Sequence, residues 1–522
     1  MSAFVTDQFR ILTTNTFVDS ITNETDFYYM FVGLANPATA GYGRNTNWDD
    51  GSTANSSLPN PIDNFDYLSH YGSTILYGKR IIPQNVRRCI RKIEWKQGRT
   101  YDMYRHDYSV NNPTVVTDRN RLYDSNYYVI NESFQVYVCI SNGSSGINTS
   151  GNESQHEPTF TDLEPSAAGT SDGYLWKYLF TVPPSDIIKF DSTEFISLPN
   201  EWSTSTSTQI ANIRNNGDST LNNNQIKFVY IENRGEGGYR SGEVDIYGDG
   251  SGARVFIEVN ENNQITKTTV TSGGSGYTYA VVDLSSLQLQ QTYAVPAKLV
   301  PIIPPSRGHG YDIYRELGAD KVLVYNRFDD STKDFPIDSK FAQIGILKNP
   351  TKFISTDSYT ASTFTGTYSL KLNSVSGDPI IGERITQSVT GGTARGYVAS
   401  YDKTTKILKY FQDRSLYYNE TTYDLTDSSN VGARSQSAPL RFSGTNNITG
   451  DDSNFTGTIN TNFTGITTTV NNTLINLDVN ITNGLANPEI NKTSGDIIFI
   501  DNRPLVTRNS RQKEDIKIIL EF

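Results

Sequence analysis

Sulfur, histidine and charge are all scarce in this chain. Its 522 residues include two cysteines, three methionines and four histidines. Cys89 and Cys139 permit one disulfide at most and cannot build a cysteine-ligated metal site by themselves. Two buried, reduced thiols are expected, because free cysteine packs as a small hydrophobe. No two of His70, His106, His156 and His309 stand at helical zinc spacing, and no His-Glu-x-x-His occurs. No glycine-rich turn ends in Gly-Lys-Ser or Gly-Lys-Thr, which excludes a P-loop. No apolar run approaches the roughly eighteen residues that cross a bilayer, so no membrane role is expected. The first ten residues lack the basic and apolar regions of a secretory signal, and folding in the cytoplasm where the chain is made is the expectation. Charged residues are only 19% and hydrophobic ones 36%. With a net charge of −11, a general nucleic-acid binder is excluded, since phosphate affinity needs the opposite sign.

Tyrosine, glycine, asparagine, threonine and serine fill the gap. There are 32 tyrosines, and the aromatic fraction of 11% argues against disorder. Tyr, Thr and Val suit half-buried pleated surfaces, and strong helix formers are few. A mainly β fold with a few short helices follows. The length predicts about three to four domains. The texture divides into residues 1–204, 205–300, 301–350, 351–487 and 488–522. The first, third and fifth are expected to form a discontinuous core of β-sheets or sandwiches. The second and fourth are expected to be β-rich insertions.

Local patterns support this division. Tyr28–Gly33 and Phe134–Ile140 read as strands. Ser203–Asn224 reads as a polar linker. Ala253–Val259, the Asn260–Asn263 turn and Gln264–Thr271 read as a hairpin. Gly235-Glu-Gly-Gly-Tyr239 and Gly273-Gly-Ser-Gly-Tyr277 flank it, which suggests one small β-module. Asp312 and Gly318 bracket a short helix as N-cap and C′ residue. Lys321–Tyr325 and Phe341–Leu347 read as strands. Gly391-Gly392 reads as a two-residue hairpin turn. The 444–483 stretch reads as thin solvent-facing β-structure or mobile loop. Ile516, Ile518, Leu520 and Phe522 alternate along a last strand that is expected to pair into a sheet.

No motif carries convincing chemistry. Gly169-Thr-Ser-Asp-Gly173 matches the nucleophile-elbow pattern, but an elbow needs a strand before Ser171 and a helix after it. A strand-like segment follows instead, so the match reads as a turn. Gly248–Gly252 lies between strands and also reads as a turn. Asn45, Asn47 and Asp49 have calcium-loop spacing, but Asp50 replaces the required glycine and Ser56 the final glutamate. Acidic pairs are plentiful, and none is singled out for glycoside chemistry. No catalytic, cofactor or metal residue is assigned. The one unusual charge feature is 79–99, where eight Lys and Arg face only Glu94. Arg87, Arg88, Arg91 and Lys92 are its candidate partner-contact residues, for an acidic neighbour.

Five segments in order resemble one family. They are Val5–Arg10, Ile90–Trp95, Asp172-Gly-Tyr-Leu-Trp-Lys-Tyr-Leu-Phe180 with Pro183-Pro184, Phe341–Pro350 and Gly495–Pro504. Together they resemble the gene-eight baseplate wedge subunit of T-even-like contractile phage tails. Gly308-His-Gly-Tyr-Asp312 resembles the versions in marine cyanobacterial phages. The likeness covers roughly 1–200, 310–350 and 488–522, leaving 205–300 and 351–487 as departures. It implies a mostly β protomer that dimerises and binds other wedge subunits, chiefly those of genes six, seven and ten. It implies a place in the virion baseplate after assembly in the host cytoplasm, and it offers no catalytic site. A receptor- or glycan-binding tail fibre is the alternative expectation, and a tail-associated glycan hydrolase a more distant one.

Overall fold

A computed structural model describes residues 5–33, 71–218, 223–289, 295–329, 340–412, 440–507 and 512–522. The protein is mainly β, with several separate sheets and a few mostly short helices. It forms two compact units, each made from distant stretches of chain. One comprises Met1–Val18, Val86–Val324 and Ile518–Phe522, and the other Asp19–Asn85 and Tyr325–Lys517. This differs from the expected single core of 1–204, 301–350 and 488–522. Residues 205–300 fall in the first unit and 351–487 in the second, and each stretch has an apolar cluster of its own.

In the first unit, the strands Tyr128–Ile130, Gln135–Asn142 and Tyr174–Thr181 form an antiparallel sheet. Tyr174, Trp176, Tyr178 and Phe180 are all buried, and so are Lys177 and Leu179 on the opposite parity. Tyr174 stacks on Trp176 at 5.3 Å, and Tyr101 meets Trp176 edge-on at 5.8 Å. The Gly-Tyr-x-Trp-x-Tyr segment is therefore a packing strand. Val86–Arg91 pairs with Lys321–Val324 on one side and Phe195–Ser197 on the other. The short helix Ile313–Glu316 is capped as expected, with the Asp312 carboxylate accepting from Tyr314 N and Arg315 N.

The β-module within 205–300 is a four-stranded sheet containing the expected hairpin, Ser251–Val259 with Ile265–Ser275. Both tyrosines of the internal repeat enter its core. Tyr239 accepts a hydrogen bond from Ala297 N, and Tyr277 Oη accepts from Ala253 N and donates to Ile246 O. The stretch Ser203–Asn224 is not a plain linker. It contains the helix Thr208–Asp218, whose Ile213 is fully buried in the main aromatic cluster. Burial of Ile213 outweighs the weak helix propensity of its Asn- and Thr-rich neighbours.

In the second unit, five strands pair in the order Thr363–Thr365, Ile75–Arg80, Tyr28–Gly33, Lys340–Lys348, Asp496–Thr507. One row across this sheet reads Phe364, Gly78, Phe31, Gly345, Ile500. The glycines make room for the rings. A Cβ on Gly345 would stand 2.4 Å from the Phe31 ring, and one on Gly78 2.2 Å from the Phe364 ring. Six further strands, from Tyr368–Ser376 to Thr456–Ile459, close into an antiparallel barrel, because Tyr368–Ser376 also pairs with Ile407–Phe411. Its interior is filled by side chains such as Leu370, Val398, Tyr410 and Phe455. The buried Glu383 ties its loops by accepting from Ile380 N, Asp452 N and Ser453 N. The barrel's Arg384–Val389 hairpin turns one residue earlier than expected. Val389 pairs with Gly392, so the loop is Thr390-Gly391. The stretch 444–483 is β-structure, with Ile448, Phe455, Ile459 and Ile481 buried. The last strand, Glu514–Glu521, pairs beside Lys321–Phe328; its Ile516 falls in the second unit and its Ile518 in the first, and both are buried.

One long element was not foreseen. The helix Asp7–Thr22 buries Ile11, Thr14, Val18 and Ile21 along one stripe at spacings of three and four. Its threonines and β-branched residues weaken the helical signal, and packing supplies what propensity does not.

Candidate functional site

Strand alternation sends the basic residues of Val86–Arg91 to opposite faces. Arg88 points inward and is 2% exposed. Its Nε donates to Asn15 Oδ1 at 2.6 Å, and its guanidinium lies 4.4 Å from the Tyr314 ring centroid. Arg87 forms a two-point ion pair with the buried Asp186, at 2.7 and 3.0 Å. The guanidinium also sits 5.2 Å from the Phe190 ring. These two candidate contact residues are thus committed to the interior of their own unit. Next along the strand, burial pushes the Cys89 thiol up to about 12, and both cysteines are free and buried.

Arg91 and Lys92 end differently. Arg91 Nη2 donates to the carbonyls of Asp124 and Ser125 and to Asn126 Oδ1. Lys92 Nζ sits 3.6 Å from Glu94 and 3.5 Å from Asp191. Both residues line an open groove of about 720 Å³, together with Ile93, Lys96, Arg99, Asn126, Ser192 and Thr193. Backbone bonds hold the 92–98 segment in place beside it. Lys92 N donates to Glu194 O, Trp95 N to Ile130 O, and Gly98 N to Ser154 O. Arg99 is braced over the Tyr101 ring at 5.5 Å, and the Tyr101 hydroxyl accepts from Lys96 N. Four cations and two carboxylates face this groove. Lys92 is paired with both carboxylates, whereas Arg91, Lys96 and Arg99 have no carboxylate partner among the described residues. Arg91 and Lys92 were candidates from the sequence alone, whereas Lys96 and Arg99 needed the fold of 94–99 to bring them alongside.

The other candidates are structural or isolated. His106 Nδ1 accepts from Ile303 N, and burial lowers its pKa. His309 is buried against Glu316, with Nδ1 2.6 Å from Oε1, and Glu316 Oε2 accepts from Gly310 N. Ser171 lies 2.8 Å from His156 Nε2, a pairing that sequence spacing did not suggest. After Ser171 the chain turns through Gly173 at φ +77° into the strand Tyr174–Thr181, so there is no elbow. No carboxylate among the described residues orients the His156 ring, which leaves the pair without the third group of an activated nucleophile. Gly248–Gly252 is a turn between strands, and Asp249 within it holds Thr278 N and Tyr279 N. Among the described residues no group of three or more His, Cys, Asp and Glu is placed to hold a metal, and no helix is long and apolar enough to cross a membrane. His70 and the Asn45, Asn47 and Asp49 loop lie outside the described residues.

No protein-family model matches the chain, and no curated protein matches it.

Proposed function

We propose that this chain is a non-enzymatic structural subunit of a contractile phage tail, of the gene-eight baseplate wedge type. In this reading it forms a homodimer and joins the wedge subunits of genes six, seven and ten. One observation carries most of the support. Phe341–Pro350 and Gly495–Pro504, two of the family-like segments, contribute neighbouring antiparallel strands, with Ile344 opposite Asp501 and Ile346 opposite Phe499. The 351–487 stretch lies between them in sequence; its Thr363–Thr365 adds an edge strand to the same sheet, and the rest includes a barrel with its own core. That is the arrangement expected of a shared core enlarged by an inserted module. A second line of support is the N-terminal helix, which leaves Phe9 and Leu12 more than half exposed beside its buried stripe. Such apolar surface suits a chain that works by holding neighbours.

The alternative, a receptor- or glycan-binding tail protein, draws support from Tyr247, Tyr279 and Val281. These are exposed on the outer face of the 205–300 module, and Val281 pairs with Tyr247. Co-expression with the other wedge proteins of the same tail separates the readings. The wedge reading expects a dimer that enters a stable complex, with density for this chain in a map of the assembled baseplate. A chain that stays monomeric and joins none of those proteins would sink it, and specific binding on a glycan array would favour the alternative.

A further inference from the structure

We infer that the groove between 91–99 and 191–193 is a docking site for an acidic, extended polypeptide segment of another protein. The inference deepens the structural-subunit reading and rests on it for the idea that the chain works by engaging neighbours. The chain as a whole carries −11, yet this groove presents Arg91, Lys96 and Arg99 with no carboxylate of their own among the described residues. Local charge opposite to the bulk marks a surface that an acidic partner would select and that acidic bystanders elsewhere on the molecule cannot.

The groove is also preorganised. Arg91 is pinned by three oxygen acceptors, and Arg99 is braced on Tyr101. A guanidinium already fixed in place loses little freedom when it meets a carboxylate, and its planar fork matches that group. Lys96 is exposed at the rim and supplies a movable third charge. Asn126, Ser192 and Thr193 add neutral polar groups along the wall.

Two carboxylates favour polypeptide over other polyanions. Glu94 and Asp191, both more than half exposed, stand among the cations. They would repel an unbroken run of phosphates. A peptide can place carboxylates at Arg91, Lys96 and Arg99 and amide or hydroxyl donors at Glu94 and Asp191. A concave groove also cannot lie flat on a bilayer. Its volume of about 720 Å³ accommodates a few residues of extended chain.

The test uses the full-length protein and a short labelled peptide of alternating glutamate and serine, read by fluorescence anisotropy at low salt. Binding that weakens as salt rises is expected. The double variant Lys96→Glu, Arg99→Glu should weaken it about tenfold or more. The neutral pair Lys96→Gln, Arg99→Gln should have a smaller effect in the same direction. Both changes lie on exposed side chains, and an unchanged thermal melt checks that the fold is intact. No binding, binding unaffected by either double variant, or equal binding to oligothymidylate or anionic vesicles would overturn the inference. Entry into the tail complex is scored separately. Peptide binding through the groove by a chain that joins no complex would refute the wedge reading and support the groove.

Discussion

Arg87 and Arg88 are neighbours in sequence and play different structural roles. Arg87 neutralises the buried Asp186, so Arg87→Ala leaves an unpaired carboxylate in the interior. A loss of about 3 kcal/mol is expected in chemical denaturation followed by tryptophan fluorescence. Asp186→Asn should cost less, because the charge left behind is on Arg87, which is less buried than Asp186, and the Asn side-chain oxygen can still accept from it. Lys177 presents the opposite case. It is buried in the Gly-Tyr-x-Trp-x-Tyr strand, donates to Leu163 O, and burial holds its pKa down to about 8. In the unfolded chain the group titrates near 10.4. Below about pH 8 it is charged in both states, and the folded state bears the full desolvation penalty. Between about pH 8 and 10.4 the unfolded chain binds more protons, so this penalty is relieved as pH rises. Lys177→Met is therefore expected to stabilise the protein at pH 7 by about 2 kcal/mol, with the gain shrinking towards pH 10. Paired denaturation curves at the two pH values check both the sign and the trend.

Secondary structure was legible where alternation was strong and obscured where packing made the decision. The hairpin at 251–275 and the capped turn of helix after Asp312 follow local rules, and both formed. The helix Asp7–Thr22 was missed because its sequence has the residues of a strand and only a buried stripe makes it a helix. The same holds for Thr208–Asp218, where one buried isoleucine anchors an otherwise polar segment. The basic stretch could be read as a cluster of charge, but not as a groove. Which arginines turn inward depends on strand parity and on partners more than ninety residues away, such as Asp186. Two predictions belong at this scale. Gly345→Ala should drive a methyl into the Phe31 ring and cost about 2 kcal/mol, measured as a lower melting transition. Replacing 235–296 by a short turn should leave the main aromatic core of the first unit folded, because Lys298 already pairs with Asn233 at the base of the module. Near-ultraviolet circular dichroism and the emission of the buried Trp176 and Trp202 report the outcome. A wider cut beginning at 206 would also remove Ile213 and Tyr230 from that core, and it should unfold the unit.

At the scale of the whole chain, composition pointed to a β-rich protein and the discontinuous texture to segments that meet from afar. Two units, each discontinuous, were not legible, since long-range pairing leaves no local mark in the sequence. The row Phe364, Gly78, Phe31, Gly345, Ile500 shows what that pairing entails. The strand Tyr28–Gly33 emerges from the ribosome early, and its partner Lys340–Lys348 and the outer strand Asp496–Thr507 come much later. At roughly 10 residues per second, the row takes on the order of a minute to become available. For roughly the first half of that time, until Lys340–Lys348 is made, the buried strand Tyr28–Gly33 has no native neighbour on one side, and the growing chain must be kept from pairing with copies of itself. Yield in the cell should therefore depend on elongation rate and chaperone supply more steeply than the stability of the finished fold would suggest.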